Sequence, residues 1–108
     1  MVEDPVLLDR VYGALADATR RRLLAELRVG EARITDLAAP LPISFAAVAR
    51  HVSVLERAGL VARQVRGRDH WLSLRPEGLA GAEAWIAEHE AFWAAAADRL
   101  ADRLGSRR

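Results

Sequence analysis

The chain has no cysteine. That absence excludes disulfides, thiolate metal sites and thiol redox sensing together. It has no lysine either, so every basic side chain is an arginine. No stretch approaches the roughly 20 uninterrupted apolar residues needed to cross a bilayer. The opening Met1-Val2-Glu3-Asp4 lacks the basic start and apolar core of a signal peptide. These features predict a cytoplasmic protein with no membrane partner. There is no Gly-rich phosphate loop, no cysteine nucleophile and no metal-ligand spacing, which argues against an enzyme. Repeats, low-complexity segments and linkers are also lacking.

What is present fits one small domain spanning residues 1–108. Hydrophobic residues make up 52% of the chain, many of them alanine, which predicts a closely packed helical core. The net charge of +1 hides a division along the chain. Residues 44–75 carry six arginines, at 50, 57, 63, 66, 68 and 75, against Glu56 and Asp69. Residues 76–104 carry Arg99 and Arg103 against six acids, at 77, 83, 88, 90, 98 and 102. One part is suited to a polyanion and the other is not. Arg107 and Arg108 add a basic tail.

Capping signals and apolar spacing predict five helices. Asp4-Pro5 opens the first, with Val6, Leu7, Val11, Tyr12 and Leu15 on one face and a break expected at Gly13. Asp17 caps the second, whose stripe is Leu23, Leu24 and Leu27 and whose stop is Gly30. Ile34 reads as a brief extended residue. Thr35 caps a short third helix that Pro40 and Pro42 limit. Ser44 caps the fourth, because its hydroxyl accepts from N–H groups that a first turn leaves unpaired. Gly59 ends it. Val48, Val52 and Leu55 face inward, while Ala46, Arg50, Ser53 and Arg57 lie opposite.

After Gly59 the period changes to two. Leu60–Val65 and His70–Leu74 read as strands around a tight turn at Arg66-Gly67-Arg68-Asp69. Pro76-Glu77 then opens a last helix to about Leu104. The expected class is mainly α with a small β-hairpin: a winged helix-turn-helix with four helices, a wing over residues 60–74 and a fifth helix. That arrangement places the helix over 44–58 in a DNA major groove, since small residues permit close approach and arginine reaches guanine edges or phosphates.

Ser44, Phe45, Ala46, Ala47, Arg50, His51, Arg57, Arg66, Arg68 and Arg20 are the candidate DNA contacts. Arg50 is the first choice for base readout. His51 either touches DNA or packs with a hydrogen bond. Phe45 meets a thymine methyl or closes the turn. Arg20, Arg21 and Arg22 either clamp phosphate or form a charged first turn that opposes the helix dipole. Trp71, Trp85 and Trp93 read as core or seam rather than a ligand pocket. His70 and Asp69 read as a surface turn. On the last helix, Trp85, Ile86, His89, Phe92, Trp93, Ala96, Ala97 and Leu100 form an apolar face broader than one small domain can cover. A second copy is the natural cover, in a two-fold dimer that suits a palindromic operator.

Three runs resemble the ArsR/SmtB family of bacterial winged-helix repressors. Leu15-Ala16-Asp17-Ala18-Thr19-Arg20-Arg21-Arg22-Leu23-Leu24 is similar to the family's opening run. Ile34-Thr35-Asp36-Leu37-Ala38 is similar to its next segment. Ser44–Val52 with Leu55–Val61 is similar to its reading helix. The resemblance implies a homodimeric repressor with the segments 4–16 and 76–104 at the interface, through Val6, Leu7, Val11, Trp85, His89, Phe92, Trp93, Ala96 and Leu100. Metal-sensing members carry a cysteine pair where this chain has Arg33 and Thr35. The last helix offers only His89 with Glu88 and Glu90, which point in different directions. No metal site and no cofactor are therefore expected, and the inducer is unknown. Two alternatives stand beside this reading: a dimer gated by a metal or small molecule between the C-terminal helices, and a winged-helix protein-interaction module that does not bind DNA.

Overall fold

The computed structural model describes residues 4–105, so the tail at Arg107 and Arg108 lies outside the described residues. Helix α1 spans Pro5–Leu15 and α2 spans Ala18–Glu26. A 3-10 turn over Leu27–Val29 leads into strand β1, Ala32–Arg33. Helix α3 covers Ile34–Ala38 and α4 covers Phe45–Arg57. Strands β2, Val61–Arg66, and β3, Asp69–Leu74, form the hairpin. A second 3-10 turn, Pro76–Leu79, precedes α5, Ala80–Gly105.

Side chains set most of these boundaries. The Asp4 carboxylate accepts from the N–H groups of Val6 and Leu7 at 3.0 and 3.3 Å. Asp17 accepts from Arg20 N–H at 3.0 Å, and Ser44 Oγ from Ala47 N–H at 3.1 Å. Each satisfies donors that a first turn leaves unpaired. The end of α4 is a Schellman turn: Leu60 N–H reaches the Leu55 carbonyl and Gly59 N–H the Glu56 carbonyl, both at 3.0 Å. Gly59 sits at φ +74°, where a side chain would be strained.

Four local expectations need correction. The sheet has three antiparallel strands in the order β1-β3-β2, not two. Its extended residues are Ala32 and Arg33, paired with Leu72 and Trp71, while Ile34 already belongs to α3. Arg33, without a side-chain cap bond, takes the capping position expected of Thr35. Gly13 does not interrupt α1, because helical hydrogen bonding carries straight through it.

The core is one cluster in which Leu23, Leu55, Leu60, Leu72, Val48 and Val52 are almost wholly enclosed. It joins the inner faces of α1, α2, α3 and α4 to the inner face of the sheet. Val11, expected at a dimer interface, is 2% exposed and belongs to this core. With Ala14 one turn on, it forms the buried face of α1, packed into the core shared with α2 and α4, while Leu7 one turn before it stays open. At Gly78 the backbone of the 3-10 turn lies so close to the Schellman turn that a Cβ would collide with the Gly59 carbonyl. No described helix is long and apolar enough to cross a membrane.

Candidate nucleic-acid interface

Helix α4 presents the outward face expected of it. Ser44, Phe45, Ala46, Arg50 and Arg57 are exposed, and Ala47 is half-buried against the turn. Ser44 fixes the start by accepting from Ala47 N–H, so Phe45, Ala46 and Ala47 lie in the first turn, Arg50 in the second and Arg57 at the last residue of α4. Arg50 makes no hydrogen bond or ion pair with any described residue. Arg57 only folds back on its own helix, with Nε donating to the Ser53 carbonyl at 3.4 Å.

His51 and Arg20 lie elsewhere. The Arg20 guanidinium reaches back across the helix junction: Nε donates to the Ala14 carbonyl and Nη2 to the Gly13 carbonyl, both at 2.9 Å. Its Nη1 lies 3.1 Å from His51 Nδ1, which is itself 3.7 Å from the Asp17 carboxylate. The open choice for His51 falls on the packed side, with the ring half-buried between α2 and α4. Arg20 ties the end of α1 to α4, and a phosphate would have to displace three internal partners. The first cause that holds the Asp17 carboxyl below its ordinary value is the Arg20 backbone N–H. The charges of Arg20 and His51 act the same way, against partial desolvation. Arg21 donates to the Leu15 carbonyl at 2.8 Å, while Arg22 has no partner among the described residues.

The wing divides its arginines in the same manner. Gly67 and Arg68 form its two-residue turn, and the Arg68 side chain has no partner among the described residues. Arg66 is held. Glu31, just ahead of β1, accepts from both of its Nη atoms at 2.9 and 3.0 Å, and Gln64 accepts at 2.7 Å. That fork keeps the Glu31 carboxyl below its ordinary value and raises Arg66, with desolvation opposing both. The Arg66 guanidinium also lies 5.0 Å from the centre of the Trp71 ring, and Arg33 lies 5.7 Å from it. Arg33 pairs with Asp36 at 3.1 Å and Asp69 at 3.8 Å. Trp71 is thus clasped by two arginines on the outer face of the sheet, outside the core cluster. Arg63 is spoken for as well, by Glu56 at 2.6 Å and His70 Nδ1 at 3.1 Å. His70 and Asp69 are strand residues with internal partners rather than a free turn.

Glu31 and Glu56 are the residues that sequence reasoning missed. Glu31 and Arg66 are 35 positions apart, and no local spacing announces such a pair. Within residues 44–75, the guanidiniums left without an internal partner are Arg50, on the reading face, and Arg68, at the wing tip. No group of three histidine or acidic side chains suited to a metal ion occurs among the described residues.

A family model described as a helix-turn-helix domain matches residues 15–64, the stretch from the end of α1 into β2. The HTH-type transcriptional regulator Rv2034 of Mycobacterium tuberculosis is 37% identical over 98 residues, covering 91% of this chain and 89% of that protein. The solved structure of the ArsR family transcriptional regulator RHA00566 superposes with a TM-score of 0.81 at 32% identity, covering 86% of this chain and 96% of that one. The chain belongs to the ArsR family of winged helix-turn-helix transcriptional regulators. The transcriptional repressor SdpR of Bacillus subtilis is a further relative, 27% identical over 73% of this chain and 88% of its own length. These relatives are regulators rather than enzymes. This ArsR-family chain is therefore a DNA-binding transcription regulator.

Proposed function

We propose that this regulator is a cytoplasmic homodimeric repressor that reads a palindromic operator, with α4 in the major groove and the wing tip on the backbone. The observation that carries the reading is the division of the arginines. Most of the basic segment is tied internally, while Arg50 stands exposed and unpartnered in the middle of the α4 outer face. Ser44, Phe45, Ala46, Ala47 and Arg57 frame it, and Arg68 supplies a phosphate contact from the wing. Arg66 and Arg20 contribute by holding the wing and the helix junction in shape, and His51 by bridging α2 and α4.

Dimerisation rests on α5 and the outer face of α1. Phe92, Trp93 and Leu100 are 59%, 67% and 57% exposed, and Val6 and Leu7 lie open on α1. An apolar strip of this extent marks an interface. Trp85 edges onto Tyr12 with ring centres 6.0 Å apart, and His89 stacks on Trp85 at 3.7 Å. His89 Nδ1 also lies 2.8 Å from the Trp85 carbonyl. This stack anchors the near half of α5 to α1, so the strip through Phe92, Trp93, Ala96 and Leu100 extends toward a second copy.

The test is fluorescence anisotropy of the full chain with its own upstream DNA and with a scrambled duplex, at two salt concentrations. Tighter binding to the native duplex, falling steeply with salt, is expected. Arg50→Ala should lower specific binding by about 1–3 kcal/mol with the fold intact. Equal binding to both duplexes, or no change in R50A, would defeat the reading.

A further inference from the structure

A cavity of about 330 Å³ opens between the end of α1, the outer side of α2 and the joint where the wing leads into α5. Its walls are the leucines 15, 24, 60, 74 and 79, with Ala25 at the edge. Three arginines line it, Arg21, Arg28 and Arg75, and none of the lining residues is acidic. Their internal commitments are light. Arg21 spends Nη1 on the Leu15 carbonyl, and Arg75 spends Nε on Glu77 at 3.0 Å. Arg28 has no partner among the described residues.

Leucine walls give water nothing to bond, whereas the guanidiniums present forked donors that match a carboxylate. An apolar body bearing one anionic head satisfies both features at once. The volume falls at the small end of ligand pockets, about 300–1,000 Å³. We propose that this cavity is a binding site for a small amphipathic carboxylate, with its apolar body on the leucine walls and its carboxylate on Arg28, aided by Arg21 and Arg75. The site is separate from the DNA-reading face and from the α5 strip. It abuts the reading unit, since Leu60 belongs to the Schellman turn and Arg75 N–H donates to the Leu60 carbonyl at 2.8 Å.

The experiment is isothermal titration of the full chain, without DNA, using sodium decanoate below its micelle concentration. Decan-1-ol and decyltrimethylammonium provide the same chain without the anionic head. Saturable binding of decanoate, one per chain and about tenfold tighter than the alcohol, is expected from one charge-assisted contact. Arg28→Gln keeps the aliphatic stem at an exposed, unpartnered position and should bring decanoate down to the alcohol's level. Ala25→Trp fills the cavity from its edge and should abolish binding of both. No saturable decanoate binding, equal binding of the three probes, or wild-type binding in both variants would overturn the proposal. Because DNA is absent, these outcomes are independent of the operator reading.

Discussion

Replacing Arg20 with alanine separates two roles that one guanidinium can have in this fold. As a clamp on phosphate, Arg20 would matter for DNA binding and little for stability. As placed, it bonds the Ala14 and Gly13 carbonyls at 2.9 Å and His51 at 3.1 Å, from a half-buried position. The Gly13 carbonyl keeps another donor, Ala16 N–H at 3.3 Å, so its loss is the cheaper one. The Ala14 carbonyl and His51 lose more. With about 1 kcal/mol net for each of the two less replaceable bonds, the cost is about 2 kcal/mol. For a domain of this size that lowers Tm by about 8 °C. Thermal unfolding of the wild type and R20A, at one fixed protein concentration because dimerisation shifts Tm, measures it. Anisotropy on folded protein at low temperature measures the DNA side. An unchanged Tm together with a large loss of DNA affinity would refute the structural role and restore the phosphate contact.

Other substitutions test neighbouring inferences. Gly78→Ala should destabilise by about 2 kcal/mol or more, since the new methyl meets backbone rather than a yielding side chain; Gly81→Ala, with open space around it, should be neutral or stabilising by up to about 1 kcal/mol. Chemical denaturation of the pair would show equal effects if the close contact at Gly78 were unimportant. Glu31→Gln releases Arg66 and removes a negative charge beside the wing, so non-specific DNA affinity should rise and the salt slope steepen by about one; an unchanged slope would mean that Arg66 stays on Trp71 without its carboxylate partner. The lowered Asp17 carboxyl stabilises the fold fully above the unfolded carboxylate value, about pH 4, and that contribution disappears as pH falls through the lower folded value. Asp17→Asn keeps a cap without the charge, so the Tm gap between wild type and D17N should close on acidification; a gap constant from neutral to strongly acidic pH would contradict this.

Local signals were legible in the sequence where the physics is local. Ser44 and Gly59 bracket α4 because a cap and a left-handed stop act within a few residues. The hairpin is equally plain, because a change of period needs only a short window. The two-residue strand Ala32–Arg33 has no period to read, and only its pairing with β3 makes it extended. The charge count over 44–75 was arithmetically sound yet misleading about the surface. Glu31 and Glu77 lie outside that segment and claim Arg66 and Arg75, while Glu56 claims Arg63 from within it. Val11 shows a similar limit. An apolar stripe states that a face is covered, and only packing tells whether the cover is the chain's own α2 and α4 or another molecule.

The contact between Gly78 and Gly59 has a mechanical consequence. No side chain separates the root of α5 from the end of the reading helix, and the Arg75–Leu60 hydrogen bond stitches the same joint at 2.8 Å. Backbone packed directly on backbone leaves little room for a change of angle, so a tilt of α5 would carry α4 and the wing with it. In a paired assembly the pitch of α5 would then set the distance between the two reading heads, while the face of α4 would set which bases they accept. Operator spacing and operator sequence would thus be governed by different residues, and each could drift in evolution without disturbing the other.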